Sequence, residues 1–138
     1  MFNHVDKHHT SAWQAQITGA KRWHICPPDQ TPLMYGRGGV DVFSPDYDHA
    51  PLFLTARCYE GTVSAGEMVY YPKAWWHSTQ NIATPTVSLS ALVVDQNNHR
   101  DVQGVFAKDC ASGSLPDSIC SHMDKCYAWW NDVYGARD

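Results

Sequence analysis

The residues best suited to chemistry in this chain are His4 and Asp6, in the run "HVD", and His77, which follows "GEMVYYPKAWW". In extended backbone, residues i and i+2 project to the same side, so His4 and Asp6 offer an imidazole and a carboxylate to one point. A catalytic metal needs a third ligand, and His77 is the best candidate. Gly66 begins a strand before it, Pro72 ends that strand, and the turn carries the imidazole back toward the same mouth. Two His and one carboxylate on one face of an octahedron leave three positions open, the arrangement of non-haem Fe(II) oxygenases. A closed structural site would leave no room for a cosubstrate and O2. The His-x-Asp pair alone is a weak signal, because such pairs are common in chains that hold no metal.

Positioning these groups calls for a β body. "SAWQAQITG" alternates Ala12, Gln14 and Gln16 against Trp13, Ala15 and Ile17, the period of a half-buried strand, with Gly19 as its turn. "AKRWHICPP" places Lys21, Trp23 and Ile25 on one face before Pro27 and Pro28 stop it. Residues 29–51 are rich in Pro, Gly and Asp and read as a long surface excursion, in which Asp46, Tyr47 and Asp48 could meet a basic substrate. A short helix or strand, a strand over Glu67–Tyr71 and the alternating "TPTVSLSALVVD" complete the body. From residue 96 the apolar spacing changes to three and four, as in amphipathic helices. The layout predicted is a β unit over 1–95 and a helical, Cys-containing extension over 96–138.

At 138 residues the chain is of single-domain size, with 43% hydrophobic residues. A net charge of −4, with ten scattered Lys and Arg, argues against direct nucleic-acid binding through bulk electrostatics. No apolar run is long enough for a membrane span. Among the five Cys, Cys26 and Cys58 read as small buried hydrophobes. Cys110, Cys120 and Cys126 allow one disulfide or, with His122, a zinc knot of unusual spacing. A paired tail would point to the secretory-pathway lumen, and an unpaired one to cytoplasm or nucleus.

The runs "HVDKHHTSAWQAQITGAKRWHICPP" and "GEMVYYPKAWWHSTQN" together resemble the jumonji C (JmjC) family of Fe(II)- and 2-oxoglutarate-dependent oxygenases, over about residues 2–95. The resemblance implies a mainly β, double-stranded β-helix (cupin or jelly-roll-like) fold with a short α-helical tail. It implies Fe(II) held by His4, Asp6 and His77, with 2-oxoglutarate and O2 as cosubstrates. Lys21 matches the lysine that pairs with the distal carboxylate of 2-oxoglutarate, as a cation at the end of a diacid pocket would. Asn81 matches an amide often kept near the site, and Ser88 or Ser90 would supply a hydroxyl to the cosubstrate. Gln14 stands where relatives often carry Asn. Trp13, Trp23, Trp75 and Trp76 match family aromatics and are read as packing groups.

The reaction so implied converts 2-oxoglutarate to succinate and CO2 while oxidising a C–H bond. Hydroxylation of a protein or peptide side chain is favoured over demethylation, because the chain shows no histone-reading finger or basic patch. The alternative is an inactive cupin-like module that binds metal or a partner without turnover. A cupin using a purely Lewis-acid metal is disfavoured by Lys21. His8, His9 and His24 are read as outer or surface groups, since a fourth protein ligand would block an open position. The family's barrel has strands before His-x-Asp, so the chain is expected to be the C-terminal part of a longer protein, marginally stable and weakly active alone.

Overall fold

The computed structural model describes residues 1–135. Six strands form first: β1 (Ser11–Thr18), β2 (Ala20–Cys26), β3 (Tyr59–Ser64), β4 (Met68–Tyr71), β5 (Trp76–Asn81) and β6 (Val87–Val93). Two helices follow, α1 (His99–Ala111) and α2 (Asp117–Tyr134). The strands make two three-stranded antiparallel sheets, in the orders β4–β1–β6 and β3–β2–β5. This is the β body that the alternating patterns predicted, in the cupin-like sandwich form that the resemblance implied. Contacts group the chain into two compact units, Met1–Val93 and the residues from Val94 onward.

Alternation decides which side chains meet between the sheets. On β2 the inward set is Lys21, Trp23 and Ile25; on β1 it is Ala12, Gln14 and Gln16, which face Tyr71, Val69, Leu92, Ser90 and Ser88 across the ladders. Ala12, Trp23 and Tyr71 form the small buried core joining the sheets, flanked by Ile25, Val63 and Val69. Gln16 is 2% exposed, and its amide is satisfied. It donates to the Thr18 and Val87 carbonyls at 2.7 and 3.1 Å and accepts from Ser88 Oγ at 2.9 Å. Gly19 takes the chain from one sheet to the other at φ +73°, and a Cβ there would lie 2.5 Å from the Pro85 carbonyl oxygen.

The stretch read from sequence as a surface excursion is instead a third layer. Its chain coils into 3₁₀ turns at Pro28–Leu33 and Pro51–Thr55. Met34, Val40, Val42, Ala50 and Phe53 bury themselves against Cys26 and Trp76. Burying a Val, Met or Phe side chain is worth about 1.5–3 kcal/mol, so this layer is part of the fold. The Pro, Gly and Asp content that suggested a loop masks these five apolar anchors.

Cys26 and Cys58 are also corrected. They are not separate buried thiols but a disulfide joining the end of β2 to the residue before β3. In the second unit Cys110 and Cys120 are bonded across the connection between α1 and α2, which leaves Cys126 as an exposed free thiol. The zinc knot with His122 is therefore not formed; the His122 ring bonds to the Ser118 carbonyl at 2.7 Å. No helix among the described residues is long and apolar enough to cross a membrane.

Candidate metal centre

His77 lies on β5, and the N-terminal segment runs beside it. The backbones of His4 and His77 exchange two hydrogen bonds, at 3.1 and 2.8 Å. This pairing brings the two imidazoles to a ring-centroid separation of 4.2 Å. Asp6 Oδ1 is 3.5 Å from His4 Nε2 and 3.6 Å from His77 Nε2. The three donor atoms lie within 4.8 Å of one another. Separations near 3.5 Å are of the order expected around an ion with bonds of about 2 Å.

The ring tautomers support the same reading. His4 Nδ1 is 2.9 Å from the Phe2 carbonyl oxygen, and His77 Nδ1 is 3.2 Å from that of Trp75. A carbonyl only accepts, so each Nδ1 carries the proton and each Nε2 lone pair is free for a metal. Burial holds the His77 imidazole below its ordinary pKa, an effect reinforced by His4 and opposed by the Trp75 carbonyl and Asp6. The ring is neutral at pH 7, the form in which it ligates.

A cavity of about 290 Å³ opens on the triad, walled by Gln14, Trp23, Tyr71 and Ser90 among others. Lys21 and Asn81 are not in this wall. They stand opposite each other on β2 and β5 and line a neighbouring cavity of about 730 Å³. Lys21 is tied to the triad cavity through Gln14, because its Nζ donates to Gln14 Oε1 at 3.0 Å. Partial burial lowers the Lys21 pKa. Of the two candidate serines, Ser90 reaches the triad cavity and pairs with Gln14, whereas Ser88 is committed to Gln16. The Trp23 indole N–H is buried without a hydrogen-bond partner among the described residues, on a side chain that walls the triad cavity.

Several other sequence readings change. His8 and His9 have φ of 64° and 56°, so the chain turns after Asp6 and His8 does not continue the strand parity. His24 is neither surface nor beside the triad; it is 5% exposed on the opposite face of β2. Asp46 spends its carboxylate locally, on the Asp48 and His49 amides and the His49 ring.

Tyr71 is a residue of the candidate site that the spacing argument overlooked. Its ring lies 4.3 Å from that of His77, and its hydroxyl hydrogen-bonds to Asp6. Desolvation, then the Asp6 charge, raises its pKa well above the usual phenol range, so it stays a donor. Its strand parity in "MVYYP" was the available signal, since Val69 and Tyr71 share the inward face of β4. A donor that fixes a ligating carboxylate typically supports metal affinity by about 10–100-fold. Tyr71→Phe should weaken Co(II) binding in that range, measured by titration calorimetry; unchanged affinity would refute the role.

This is a cupin-like β-sandwich holding a two-His, one-carboxylate group. The Cupin-like domain family matches residues 2–93, and the chain belongs to that family, in its JmjC-like branch. It is 32% identical over 95 residues to HSPB1-associated protein 1 of Bos taurus, covering 62% of this chain and 20% of that protein. It is 32% identical over 129 residues to Lysine-specific demethylase JMJ21 of Arabidopsis thaliana, covering 85% and 13%. JmjC domain-containing protein 8 of Mus musculus is 36% identical over 76 residues, covering 55% and 28%. The chain thus spans between about an eighth and a quarter of the length of these relatives.

Proposed function

We propose that this domain is an Fe(II)- and 2-oxoglutarate-dependent oxygenase acting on a protein or peptide side chain, by hydroxylation rather than demethylation. The observation that carries the reading is the convergence of His4 Nε2, Asp6 Oδ1 and His77 Nε2, with both Nδ1 atoms committed to carbonyls. The donor set suits Fe(II), which when bound would supply the coordination sites and oxidising power for 2-oxoglutarate and O2 chemistry. Lys21 would exchange Gln14 for the distal carboxylate of 2-oxoglutarate, fixing the diacid by charge as well as hydrogen bonds. Tyr71 holds the Asp6 carboxylate in place, and Trp23, 3% exposed, keeps water from one wall. A protein substrate or partner is supported by the names of two relatives, Lysine-specific demethylase JMJ21 and HSPB1-associated protein 1.

The two disulfides support an oxidising compartment, such as the lumen of the secretory pathway. The functional test is succinate formation on incubation with Fe(II), ascorbate, 2-oxoglutarate and a peptide mixture. Coupled succinate release and a one-oxygen mass gain on a peptide are expected. Metal binding with no loss of 2-oxoglutarate would overturn the oxygenase reading in favour of a binding module.

A further inference from the structure

The face of β2 turned away from the triad carries a second group of ligand-type residues. His24 and Cys26 share that face, and the pairing of Ile25 with Tyr59 sets Cys58 opposite Cys26. His24 Nδ1 lies 3.6 Å from Cys26 Sγ, and the donor atoms of His24, Cys26 and Cys58 fall within 4.8 Å of one another. We propose that, once the Cys26–Cys58 disulfide is reduced, these three residues form a zinc-type metal site distinct from the facial triad.

The geometry suits the ion. A tetrahedral Zn²⁺ with Zn–S near 2.3 Å and Zn–N near 2.0–2.1 Å separates its N and S ligands by about 3.5–3.6 Å, which is the His24–Cys26 spacing. Two thiolates on the same ion stand about 3.8 Å apart on that geometry, whereas bonded sulfurs are held near 2 Å, so the disulfide and the metal exclude each other. The fourth position is open to solvent. A cavity of about 460 Å³, walled by His24, Cys58, Phe43, Phe53 and Leu54, reaches the group from outside. Arg22 and Glu60 also line it but are paired with each other at 2.7 Å, so the charge nearest the site is neutralised. Cys26 is fully buried and His24 nearly so, which keeps competing water off two of the three ligands.

The chemistry balances with a dithiol or phosphine as the reductant. A dithiol delivers two electrons and two protons, giving two protein thiols and a cyclic disulfide; metal uptake then releases both thiol protons. The soft N,S₂ donor set separates this site from the N₂O triad, so the two select different ions.

The test uses the full chain carrying Cys110→Ser, Cys120→Ser and Cys126→Ser, which removes the other thiols, and Co(II) as the probe. After phosphine reduction and desalting, Co(II) added beyond two equivalents, enough to fill the triad as well, should produce a thiolate-to-cobalt charge-transfer band. The oxidised protein should show none, because triad-bound cobalt has no sulfur ligand. His24→Gln should lose the band while keeping the disulfide in its oxidised form, and Asp6→Asn should retain it. Failure of the reduced protein to develop the band overturns the proposal. So does a band indifferent to His24, which circular dichroism would trace to thiols of an unfolded chain. Neither result bears on the triad, whose cobalt affinity is measured on the oxidised protein.

Discussion

His77→Ala should reduce metal affinity at the triad by more than ~100-fold and abolish any 2-oxoglutarate turnover with it. Loss of an outer hydrogen-bond partner costs about 10–100-fold in affinity, and removal of a ligand costs more. His77 is the decisive choice of the three because it is 2% exposed and touches His4, Tyr71 and Trp23, so no water or side chain from solvent readily replaces it. Its backbone bonds to His4 survive the substitution, which leaves the remaining ligand pair in position. His77→Gln fills the space and separates a packing effect from a ligand effect. Calorimetric titration with Co(II) on the oxidised protein, alongside a thermal melt, is the measurement. A folded His77→Ala protein with wild-type cobalt affinity would end the facial-triad assignment.

The second large effect is on stability. The Cys26–Cys58 bond closes a loop of sequence separation 32. The chain-entropy relation assigns such a loop about 3.7 kcal/mol, a substantial part of the ~5–15 kcal/mol that holds a typical domain together. Cys26→Ser should cost more than this, because it also sets a hydroxyl into the apolar cluster of Met34, Val42 and Trp76, at about 1–3 kcal/mol if unpaired. The double variant Cys26→Ala and Cys58→Ala isolates the crosslink. Urea unfolding of the Met1–Val93 unit, followed by Trp fluorescence, should show the midpoint fall in the double variant and fall further in Cys26→Ser. Equal midpoints for wild type and double variant would mean that the excursion is held by packing alone.

How far the sequence disclosed this molecule depended on the length scale of each interaction. Strand parity is local, and it identified the inward face of "AKRWHIC" and the shared projection of Ala12, Gln14 and Gln16. The positioning of His77 depended on recognising a strand, a stop and a return, all within "GEMVYYPKAWWHSTQN". What could not be read is what crosses between layers. Lys21 and Gln14 are close in sequence, yet their hydrogen bond joins two different sheets. Ser88 and Ser90 share a face and are equivalent on paper; only the buried amide of Gln16 assigns Ser88 away from the cavity. Cys26 and Cys58 looked solitary because their partnership depends on the β2–β3 register, fixed by strands separated by the whole excursion. Composition misled most over residues 29–51, where turn-forming residues outnumber the few apolar side chains that determine how the segment packs.

That pinned base has an evolutionary corollary. With Cys26 and Cys58 joined at its root, the segment between them behaves as a cassette whose two ends cannot drift apart. Its contents can be exchanged or lengthened without shifting the register of β2 against β3. Any replacement must still offer an apolar surface to Trp76, whose neighbour in the chain is His77, and a partner to Asn3, whose neighbour is His4. Diversity is therefore confined to the parts of the segment that touch neither that indole nor the N-terminal stretch, where Gly38 donates to the Asn3 carbonyl next to His4.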